Sequence, residues 1–590
     1  MCGIFGFFNA GLDSFESDVF IRKMSEAQTH RGPDSFGFHM DPLCALGNNR
    51  LSIIDLENGN QPFYSEDKKI IVVQNGEIFN HIELAENLIN TQYPCKTQSD
   101  TEVILRLYQS EGPSFVTKLN GMFAIAIYDL NINKLFIFRD RVGEKPLFYS
   151  AKDDAIYFAS EMKSLLEVGI SKSINKKAVA SFFLYNYVLP PLTMFKHIQA
   201  LKPGHYLECD AVSVKCIEWW KLPYLRSKDE CCLTEEEVIT EFNYLLDDAV
   251  KIRMRADVPF GAFLSGGVDS TSVTGLMSKH NAFPVKTFCI GFNDPLFDES
   301  SFALKASTRF GTEHYLKKVD SNLLEHWPRV IKHTEQPHGD VSFMPTYEVA
   351  KLASKHVKMV LTGDGADELF GGYSKYLVLD SLDKENHKKI LLDSLSLVNI
   401  NMLPQLFNKD FIDDSIISEL RQDFFEIIDG YDTDDYLNKA FFFDTQYLLQ
   451  GNNLVKPDRM GMSVSIENRS PFLDYRIIEF VSKLPSKYKI RNGETKYIYK
   501  KAVESMIGTD LTYRDKQMFT VPIKSWISGE LKPYFKSLVF DSQCLGEDSF
   551  KPEFIQKKFY DHCDGSEDNT RIIRALSSYT LWHRHFLGDI

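Results

Sequence analysis

The stretch Asp257-Val-Pro-Phe-Gly-Ala-Phe-Leu-Ser-Gly-Gly-Val-Asp-Ser-Thr-Ser-Val-Thr-Gly275 predicts a strand, a tight turn and a helix in direct succession. Residues 258–264 are apolar, as in a buried parallel strand, and residues 271–280 open a helix on hydroxyl side chains. Between them, paired glycines let backbone N–H groups approach an anion, and the helix N-terminus adds partial positive charge. We therefore expect a phosphate or pyrophosphate ligand at this turn.

The motif in this turn is Ser265-Gly-Gly-Val-Asp-Ser270. An ordinary loop with Asp269 as a helix cap could also contain Ser-Gly-Gly, but the complete hexapeptide between a strand and a helix favours a nucleotide site. It is not a Walker loop, because no Gly-Lys-Ser or Gly-Lys-Thr follows. It resembles the PP-loop of ATP pyrophosphatases, which adenylylate a carboxylate or carbonyl and release pyrophosphate.

Length and charge narrow the classes of function. The 590 residues exceed a single hydrophobic core and predict about two to four domains. With 44% hydrophobic and 25% charged residues, the composition is that of a globular protein. The formal net charge of −14 argues against sequence-independent binding to nucleic acid, because such binding depends on cations that neutralise phosphates.

The cysteines and the apolar segments indicate the cellular compartment of the protein. The ten cysteines show no CxxC pair and no zinc-finger spacing, so we expect mostly reduced thiols. The apolar residues 1–8 lack a basic segment before them and soon reach Asp13, which is not the pattern of a signal peptide. No uninterrupted apolar stretch is long enough to cross a bilayer. The sequence therefore predicts a cytoplasmic protein.

The first chemical feature is Cys2. Removal of Met1 would leave Cys2 at the N-terminus, with a thiol and a free α-amine. An α-amine has a reference pKa of about 7.7–8.0, so it can act as general base for the adjacent thiol. One residue would then supply nucleophile and base. Position alone would also allow a small buried cysteine behind the initiator.

Several polar motifs follow in the N-terminal part. His30-Arg-Gly-Pro-Asp34 is a polar turn, residues 50–55 predict the start of a strand, and residues 72–80 predict a strand that runs into a turn at Asn75-Gly76. Ser99 caps the next helix, whose first turn is acidic. These motifs favour the catalytic interpretation of the N-terminal thiol.

Together these motifs resemble those of class II, N-terminal-nucleophile glutamine amidotransferases, and with the PP-loop half the whole chain resembles glutamine-dependent asparagine synthetases. The resemblance implies that Cys2 forms a glutamyl thioester and releases ammonia. It places Asn75 and Gly76 in the oxyanion hole, where acyl transfer needs hydrogen-bond donors. It also implies a glutamine-binding set, in which an arginine suits the carboxylate and an acid suits the amine: Arg50, Glu77 and Asp100.

The second half alternates strands and helices, as parallel α/β sheets do. A strand at residues 359–361 leads into Gly363-Asp-Gly-Ala-Asp-Glu-Leu-Phe-Gly-Gly-Tyr373. Ligands in open α/β sheets bind at the carboxyl ends of strands, so this loop and the PP-loop should converge. Asp269 and Asp367 are expected to hold Mg²⁺, a hard cation that prefers oxygen ligands. The expected ATP-binding residues are Leu264, Ser265, Gly266, Gly267, Asp269, Ser270, Ile290, Gly363 and Asp364.

Other residues of this half bear on catalysis and on the acceptor. Lys496 matches a family lysine beside the adenylylation transition state, where a cation suits the phosphate charge. A polar loop at residues 335–340 matches a segment that faces the acceptor. Asp364 stands where aspartate-using members commonly carry glutamate, and Ser470 stands where an apolar residue is usual. Both departures bear on acceptor identity, whereas Asn48, found where a histidine is frequent, has no assigned role.

The expected architecture has two domains. Residues 1–210 form an αββα sandwich of the N-terminal-nucleophile type, residues 211–234 a linker, and residues 235–590 a doubly wound parallel α/β PP-loop domain with additional helices. The implied reaction hydrolyses glutamine and transfers its nitrogen to an acyl-adenylate, with aspartate as the default acceptor and an amide, AMP and pyrophosphate as products. The expected partners are glutamine, ATP with Mg²⁺ and the carboxylate acceptor. A homodimer is an open possibility, and neither nucleic acid nor a membrane is expected.

Three alternatives remain open. A related amidotransferase would amidate another carboxylate, such as a sugar uronic acid or a peptide-like precursor. A PP-loop cyclase of the β-lactam synthetase type would lack a working glutaminase, which the presence of Cys2, Arg50, Asn75 and Asp100 disfavours. A non-catalytic nucleotide-binding scaffold is the third alternative.

Overall fold

The structure is a computed structural model that describes residues 2–152, 154–224, 226, 232–381, 387–514 and 521–588. Met1, whose removal would expose Cys2, lies outside the described residues. The same holds for residues 225 and 227–231 of the expected linker.

Two six-stranded antiparallel sheets form the N-terminal half. Their strand orders are β10-β8-β9-β1-β3-β2 and β12-β11-β7-β6-β5-β4. The strands are β1 Cys2–Phe8, β2 Ser35–Met40, β3 Cys44–Arg50, β4 Phe63–Tyr64, β5 Ile70–Ile78, β6 Gly121–Asp129, β7 Lys134–Arg139, β8 Phe148–Lys152, β9 Ala155–Ala159, β10 Gln199–Ala200, β11 His205–Cys209 and β12 Val214–Glu218. The helices of this half are α1 Ser14–Ala27, α2 His81–Leu88, α3 Asp100–Glu111, α4 Met162–Leu166 and α5 Lys176–Tyr185.

Alternating side chains explain the layers of this half. On β1, Ile4 points between the sheets and packs in one buried cluster with Val73 of β5. The next residue, Phe5, points outward and packs with Ile21 of α1, as the two-residue period of a strand requires. Helix α3 covers the other outer face. The expected αββα sandwich is therefore confirmed.

A five-stranded parallel sheet organises the C-terminal half. Its order is β15-β14-β13-β16-β17, and all four pairings are parallel. The strands of this half are β13 Phe260–Phe263, β14 Lys286–Phe292, β15 Glu313–Val319, β16 Met359–Leu361, β17 Glu467–Arg469, β18 Ile490–Arg491 and β19 Glu494–Thr495. The chain winds outward from β13 to β15 and then returns to β16 on the other side of β13. This is a doubly wound sheet with its switch point between β13 and β16.

Many helices surround this sheet. They are α6 Glu235–Arg253, α7 Val268–His280, α8 Ser300–Phe310, α9 Trp327–Thr334, α10 Phe343–Ala353, α11 Ala366–Phe370, α12 Ser374–Asp380, α13 His387–Leu395, α14 Leu403–Leu406, α15 Asp414–Asp429, α16 Tyr436–Phe443, α17 Val455–Met462, α18 Tyr475–Ser482, α19 Tyr497–Ile507, α20 Thr509–Thr512, α21 Ile523–Ser528, α22 Lys532–Val539, α23 Pro552–Cys563 and α24 Thr570–Phe586. A π-helical stretch, Asp444–Asn453, joins α16 to α17. Among the described residues, none of these helices has both the length and the apolar character to span a bilayer.

Three local expectations differ from the structure. Residues 214–218, expected in the linker, form β12 at the edge of the second sheet, where most side chains are exposed and give little apolar signal. Arg50 ends β3 and does not start a strand, because its side chain binds carbonyl groups of the loop that follows. Asn75-Gly76 lies inside β5 and is not a turn. Gly76 has φ +149°, and a Cβ there would lie 2.0 Å from the Met122 carbonyl oxygen, so this glycine allows close approach of β6.

The two halves share one apolar core. Phe183 of α5 packs against the rings of Phe407, Phe550 and Tyr579, with centroid distances of 5.4, 5.7 and 5.8 Å. Buried side chains of both halves belong to one contiguous cluster. The nine cysteines of the described residues form no disulfide, so packing and buried polar contacts hold the halves together.

A buried ion pair of the C-terminal half also contacts the N-terminal half. Arg253 Nη1 lies 2.8 Å from Asp474 Oδ2, and both side chains are almost fully buried. Asn120 of the N-terminal half donates from Nδ2 to the same oxygen at 2.9 Å. Burial would raise the pKa of Asp474, but Arg253 and Arg476 hold it far below its usual range. Asp474 is therefore ionised, and it satisfies donors from both halves.

Asp474→Ala should destabilise the protein strongly, because it leaves Arg253 and Asn120 buried without this acceptor. We expect a loss of about 3–5 kcal/mol, the usual cost of removing one partner of a buried pair. The measurement is the urea midpoint followed by intrinsic fluorescence. The matched control Glu241→Ala, at an exposed position of α6, should change stability by less than about 0.5 kcal/mol. Equal midpoints for the two variants would contradict this role of Asp474.

Candidate active sites

The first candidate site surrounds Cys2. Cys2 pairs with Arg50 across β1 and β3, and it is 5% exposed. Its backbone nitrogen lies 3.1 Å from Asn75 Oδ1. Burial raises the pKa of the Cys2 thiol, whereas hydrogen bonds from the Leu51 backbone and the Asn48 side chain lower it. Burial outweighs these hydrogen bonds and the pKa remains raised, but the thiol has polar neighbours, unlike an inert cysteine in an apolar core.

The side chain of Asn75 is oriented by the two sheets together. Its Nδ2 donates to Ser160 Oγ at 3.2 Å, and Ser160 Oγ also accepts from the Ile4 backbone at 3.0 Å. Asn75 Oδ1 therefore faces the Cys2 nitrogen, the atom that becomes the α-amine if Met1 is removed. The structure brings Cys2, Asn75 and Gly76 together, as expected from the sequence.

Arg50 supports the loop beside the thiol. Its Nη2 donates to the carbonyl groups of Ile54 and Asp55 at 3.1 and 2.7 Å, and its Nη1 donates to Asn60 Oδ1 at 2.9 Å and to the Leu56 carbonyl at 3.3 Å. An arginine has five N–H donors, so the Nε–H is the donor not used by this loop. Arg50 thus shapes the rim of the site, and that Nε–H is the group that could meet a carboxylate.

Asp100 is fixed at the start of α3 beside β5. Its Oδ2 accepts from the Ile78 backbone at 2.9 Å and from Gln74 Nε2 at 3.0 Å. Gln74 in turn accepts from Thr101 Oγ1 at 3.0 Å. These contacts hold a carboxylate close to the strand that carries Asn75, where it could bind an ammonium group.

Glu77 lies on the side of β5 that meets the C-terminal half. Its Oε2 is 3.5 Å from Arg469 Nη2, and Arg469 also binds Glu467 at 2.5 Å. Burial raises the pKa of Glu77 well above its usual value, and the nearby charges of Glu467 and Asp100 raise it further. Glu77 therefore links β5 to the other half of the protein.

The role of Asn48 could not be predicted from the sequence. Asn48 is 1% exposed, and its Nδ2 donates to the Gln74 carbonyl at 2.9 Å while its side chain reaches the Cys2 thiol. It lies two residues before Arg50 on β3, so both side chains point to the same face of the strand. The two-residue spacing is visible in the sequence, but it relates Asn48 to Cys2 only when the register of β1 and β3 is known.

The second candidate site is the PP-loop between β13 and α7. Gly266 has φ +75°, and a Cβ there would lie 2.4 Å from the carbonyl carbon of Phe302, so the turn requires glycine. Ser265 N–H donates to Ser270 Oγ at 3.2 Å, and the two hydroxyl oxygens are 3.1 Å apart. Helix α7 begins at Val268 directly after Gly267. The expected strand, glycine turn and helix N-terminus are all present.

The loop after β16 converges on the PP-loop. A Cβ at Gly363 would lie 2.7 Å from Asp269 Cβ, so the two loops touch. Leu264 directly follows β13, Ile290 lies in the second half of the adjacent strand β14, and both are buried. The expected ATP-binding residues therefore come together at one edge of the parallel sheet.

Lys496 joins the two acidic residues of this edge. Its Nζ lies 2.6 Å from Asp269 Oδ2 and 2.7 Å from Asp367 Oδ1. Burial would lower the pKa of Lys496, but these carboxylates outweigh burial and raise it. A Cβ at Gly372 would lie 2.3 Å from Lys496 Cε, so a larger residue there would displace the lysine side chain.

The same two carboxylates suit a magnesium ion. Mg²⁺ in nucleotide sites is held by one or two carboxylates together with phosphate oxygens. Asp269 and Asp367 supply two carboxylates that lie close together. Within the described ranges, no group of three or more histidine, cysteine, aspartate or glutamate side chains is arranged as a protein-only metal site. The donor set therefore fits a cation that arrives with a nucleotide.

Asp364 faces a cavity beside this site. Burial raises the pKa of Asp364, and the charges of Asp269 and Asp367 raise it further, whereas Lys456 lowers it. Ser470 Oγ donates to the Asp364 carbonyl at 2.5 Å. Residues from both halves line this cavity, which we name the acceptor cavity because the sequence relates Asp364 and Ser470 to acceptor identity; among them are Glu144, Thr362, Asp364, Asp458, Asn468 and Ser470.

A second cavity lies between the halves. Arg139, Pro146 and Phe148 line it from the N-terminal half, and Gln336, Gln450 and Arg459 line it from the C-terminal half. This interdomain cavity shares Glu144, Leu454 and Asp458 with the acceptor cavity. The two cavities are therefore neighbours along the domain interface.

A buried charge network beside these cavities reaches Cys2. Arg31 Nε donates to the Cys2 carbonyl at 3.1 Å, and its Nη1 and Nη2 bind Asp458 at 2.8 and 3.0 Å. Arg459 binds Glu161 at 2.8 Å and Glu335 at 3.2 Å. The sequence shows Arg31 and Asp458 in separate polar motifs, but nothing in it pairs residues 427 positions apart.

Comparison with known proteins agrees with this arrangement. The family model for asparagine synthase matches residues 241–584, more than half of the chain, and the model for a glutamine amidotransferase domain matches residues 1–220. "Asparagine synthetase [glutamine-hydrolyzing] 1" of Bacillus subtilis (strain 168) is 32% identical and is aligned over 99% of this chain and 96% of its own length.

Two further relatives show the breadth of the similarity. "Asparagine synthetase [glutamine-hydrolyzing] 2" of the same bacterium is 32% identical over 88% of this chain and 72% of its own length. "Amidase chyE" of Penicillium rubens is 29% identical over 86% of each chain. With both family models matched in order and a full-length relative above 30% identity, the chain belongs to the glutamine-dependent asparagine synthetase family.

Proposed function

We propose that the protein hydrolyses glutamine at Cys2 and uses the ammonia to amidate an adenylylated carboxylate at the PP-loop. Membership of this family supports glutamine-dependent, ATP-driven amidation in general. The observation that most supports this for the present chain is the contact between the Cys2 nitrogen and Asn75 beside a thiol with polar neighbours. After removal of Met1, the α-amine would take the thiol proton, and the thiolate would attack the side-chain amide of glutamine.

The other residues of this site have matching roles in the proposal. Asn75 and Gly76 would stabilise the oxyanion of the tetrahedral intermediate. The Arg50 Nε–H would bind the glutamine carboxylate, and Asp100 would bind its ammonium group. Glu77 would act less directly, because its buried contact with Arg469 fixes β5 against the C-terminal half.

At the PP-loop, the residues of both loops would bind MgATP. The backbone of residues 265–267 and the N-terminus of α7 would hold the phosphates. Asp269 and Asp367 would hold Mg²⁺, which when bound offsets phosphate charge. Lys496 is already placed between these carboxylates, and it would stabilise the charge that develops as the acceptor carboxylate attacks the α-phosphorus.

Aspartate is the acceptor we propose, which would make the product asparagine. A second candidate, another carboxylate, is favoured by two residues of the acceptor cavity, Asp364 and Ser470, which replace the usual glutamate and apolar residue. Ammonia would reach the acceptor through the two neighbouring cavities.

Cys2→Ala should abolish glutamine-dependent amide formation and leave formation from added ammonium salts intact, because only the glutaminase nucleophile is lost. The two rates are measured with the same acceptor and MgATP. Cys216→Ala, at an exposed position of β12, is the matched control and should behave as wild type. Equal loss with both nitrogen donors would contradict a scheme with two separate sites.

Mass spectrometry of products tests the acceptor. Wild-type protein is incubated with glutamine, MgATP and a panel of carboxylic acids that includes aspartate, uronic acids and short peptides. We expect asparagine, glutamate, AMP and pyrophosphate, with little amide from the other acids. An amide of another panel member, formed faster than asparagine, would replace aspartate as acceptor, and absence of AMP with every acid would contradict the proposed reaction.

A further inference from the structure

Glu144 lies where the two cavities of the interface meet. It lines both the interdomain cavity and the acceptor cavity, which also contains Asp364. Its side chain is 7% exposed. Among the acidic residues of the described chain, Glu144 and Asp458 are the two that line both cavities, and Asp458 is already bound by Arg31.

A rigid turn presents this side chain. Asp140 Oδ1 accepts from the backbone of Gly143 and Glu144 at 2.7 and 2.9 Å, and Asp140 Oδ2 accepts from the backbone of Lys145 at 2.9 Å. Arg139 binds the carbonyl groups of Gly143 and Lys145 at 3.1 and 3.0 Å. The turn is held from both sides, so the place of Glu144 at the junction is fixed.

Burial and the charges around Glu144 make it an unusually strong base for a carboxylate. The pKa of Glu144 is raised to about 8, mainly by burial and then by the neighbouring charge of Asp140 and the weaker one of Asp474. Arg253 and Lys145 lower the pKa, but each is engaged elsewhere: Arg253 binds Asp474 at 2.8 Å, and Lys145 Nζ lies 3.7 Å from Asp458. Across the junction the facing acids are Asp364 and Asp458.

We propose that the Glu144 carboxylate accepts the proton that the incoming nitrogen must lose when it attacks the activated acceptor. This inference rests on the proposed function, because it assigns a residue to the amidation step. General bases work best when their pKa lies near the operating pH, and a buried acid at the junction of both cavities meets that demand. An ordinary exposed carboxylate is too weak a base for this task.

The step balances as follows. The lone pair of ammonia forms a C–N bond at the acyl carbon, and the tetrahedral adduct carries a protonated nitrogen. One N–H bond breaks, its proton passes to a Glu144 carboxylate oxygen, and the electron pair stays on nitrogen. The C–O bond to the phosphate then breaks, AMP leaves with that electron pair, and Glu144 later returns its proton to solvent.

Glu144→Gln tests this role, because it keeps shape and removes the basic oxygen. Amide formation should fall about 100-fold or more with either glutamine or ammonium as donor, since general bases contribute about 10²–10⁴. Glutaminase activity and ATP–pyrophosphate exchange, both of which precede the proton transfer, should stay within about threefold of wild type and also show that both halves are folded. Glu167→Gln, at an exposed position after α4, is the control.

The reaction with hydroxylamine distinguishes a general base from a residue that only supports the structure. Its adduct is a stronger acid than the ammonia adduct and loses its proton to water without help. Hydroxamate formation by Glu144→Gln should therefore approach the wild-type rate, and Glu144→Asp should recover part of the activity with ammonia. In wild type, the yield of amide per glutamine hydrolysed should rise as pH passes about 8, because the ionised form is the base, and Glu144→Gln should lose this rise.

The outcomes separate the possible failures. Wild-type amide yield in Glu144→Gln would overturn the proposal and point to Asp364 as the base. Equal loss of the ammonia and hydroxylamine reactions would also overturn it, because the variant would then have lost access or geometry. If wild-type protein forms no amide and catalyses no exchange with any acid of the panel, the proposed function itself fails.

Discussion

The arrangement of the two sites depends on the contacts of the Arg31 guanidinium. The fully buried guanidinium donates to the carbonyl of Cys2 and forms a bidentate ion pair with Asp458 of α17. A buried charge is costly unless it is paired and hydrogen-bonded, and Arg31 reaches Asp458 only when the two halves dock in this register. A shift of α17 against β1 would break this buried pair at the domain interface.

This constraint explains how two separate sites can work together in one protein. Helix α17 carries Asp458 and Arg459, which border the interdomain cavity, while Arg459 also binds Glu161 and Glu335 of the two halves. Asp458 thus links the two regions, because it lines the interdomain cavity and also binds Arg31, which contacts the Cys2 carbonyl. At the other end of that space, the touching loops of the parallel sheet hold Lys496 between two carboxylates.

Local patterns in the sequence predicted much of this molecule. The PP-loop follows from a strand, two glycines and a helix, and β16 begins and ends as expected at residues 359–361. Features that depend on contacts between distant residues were not predictable. Gly76 resembles a turn residue until β6 is seen to approach it, Asn48 has no role without the strand register that places it at the thiol, and Arg31 has no visible partner in the sequence. The edge strand β12 was missed because exposed strands lack an apolar signal.

The central claim is that nitrogen passes from Cys2 to the PP-loop inside the protein, along the interface that Arg31 and Asp458 hold closed. The most direct measurement supplies amide-¹⁵N glutamine together with an excess of unlabelled ammonium and determines the isotope in the amide product by mass spectrometry. The account predicts that the product carries mainly ¹⁵N, although the bulk pool is mainly ¹⁴N. A product with the isotope ratio of the bulk pool would contradict it.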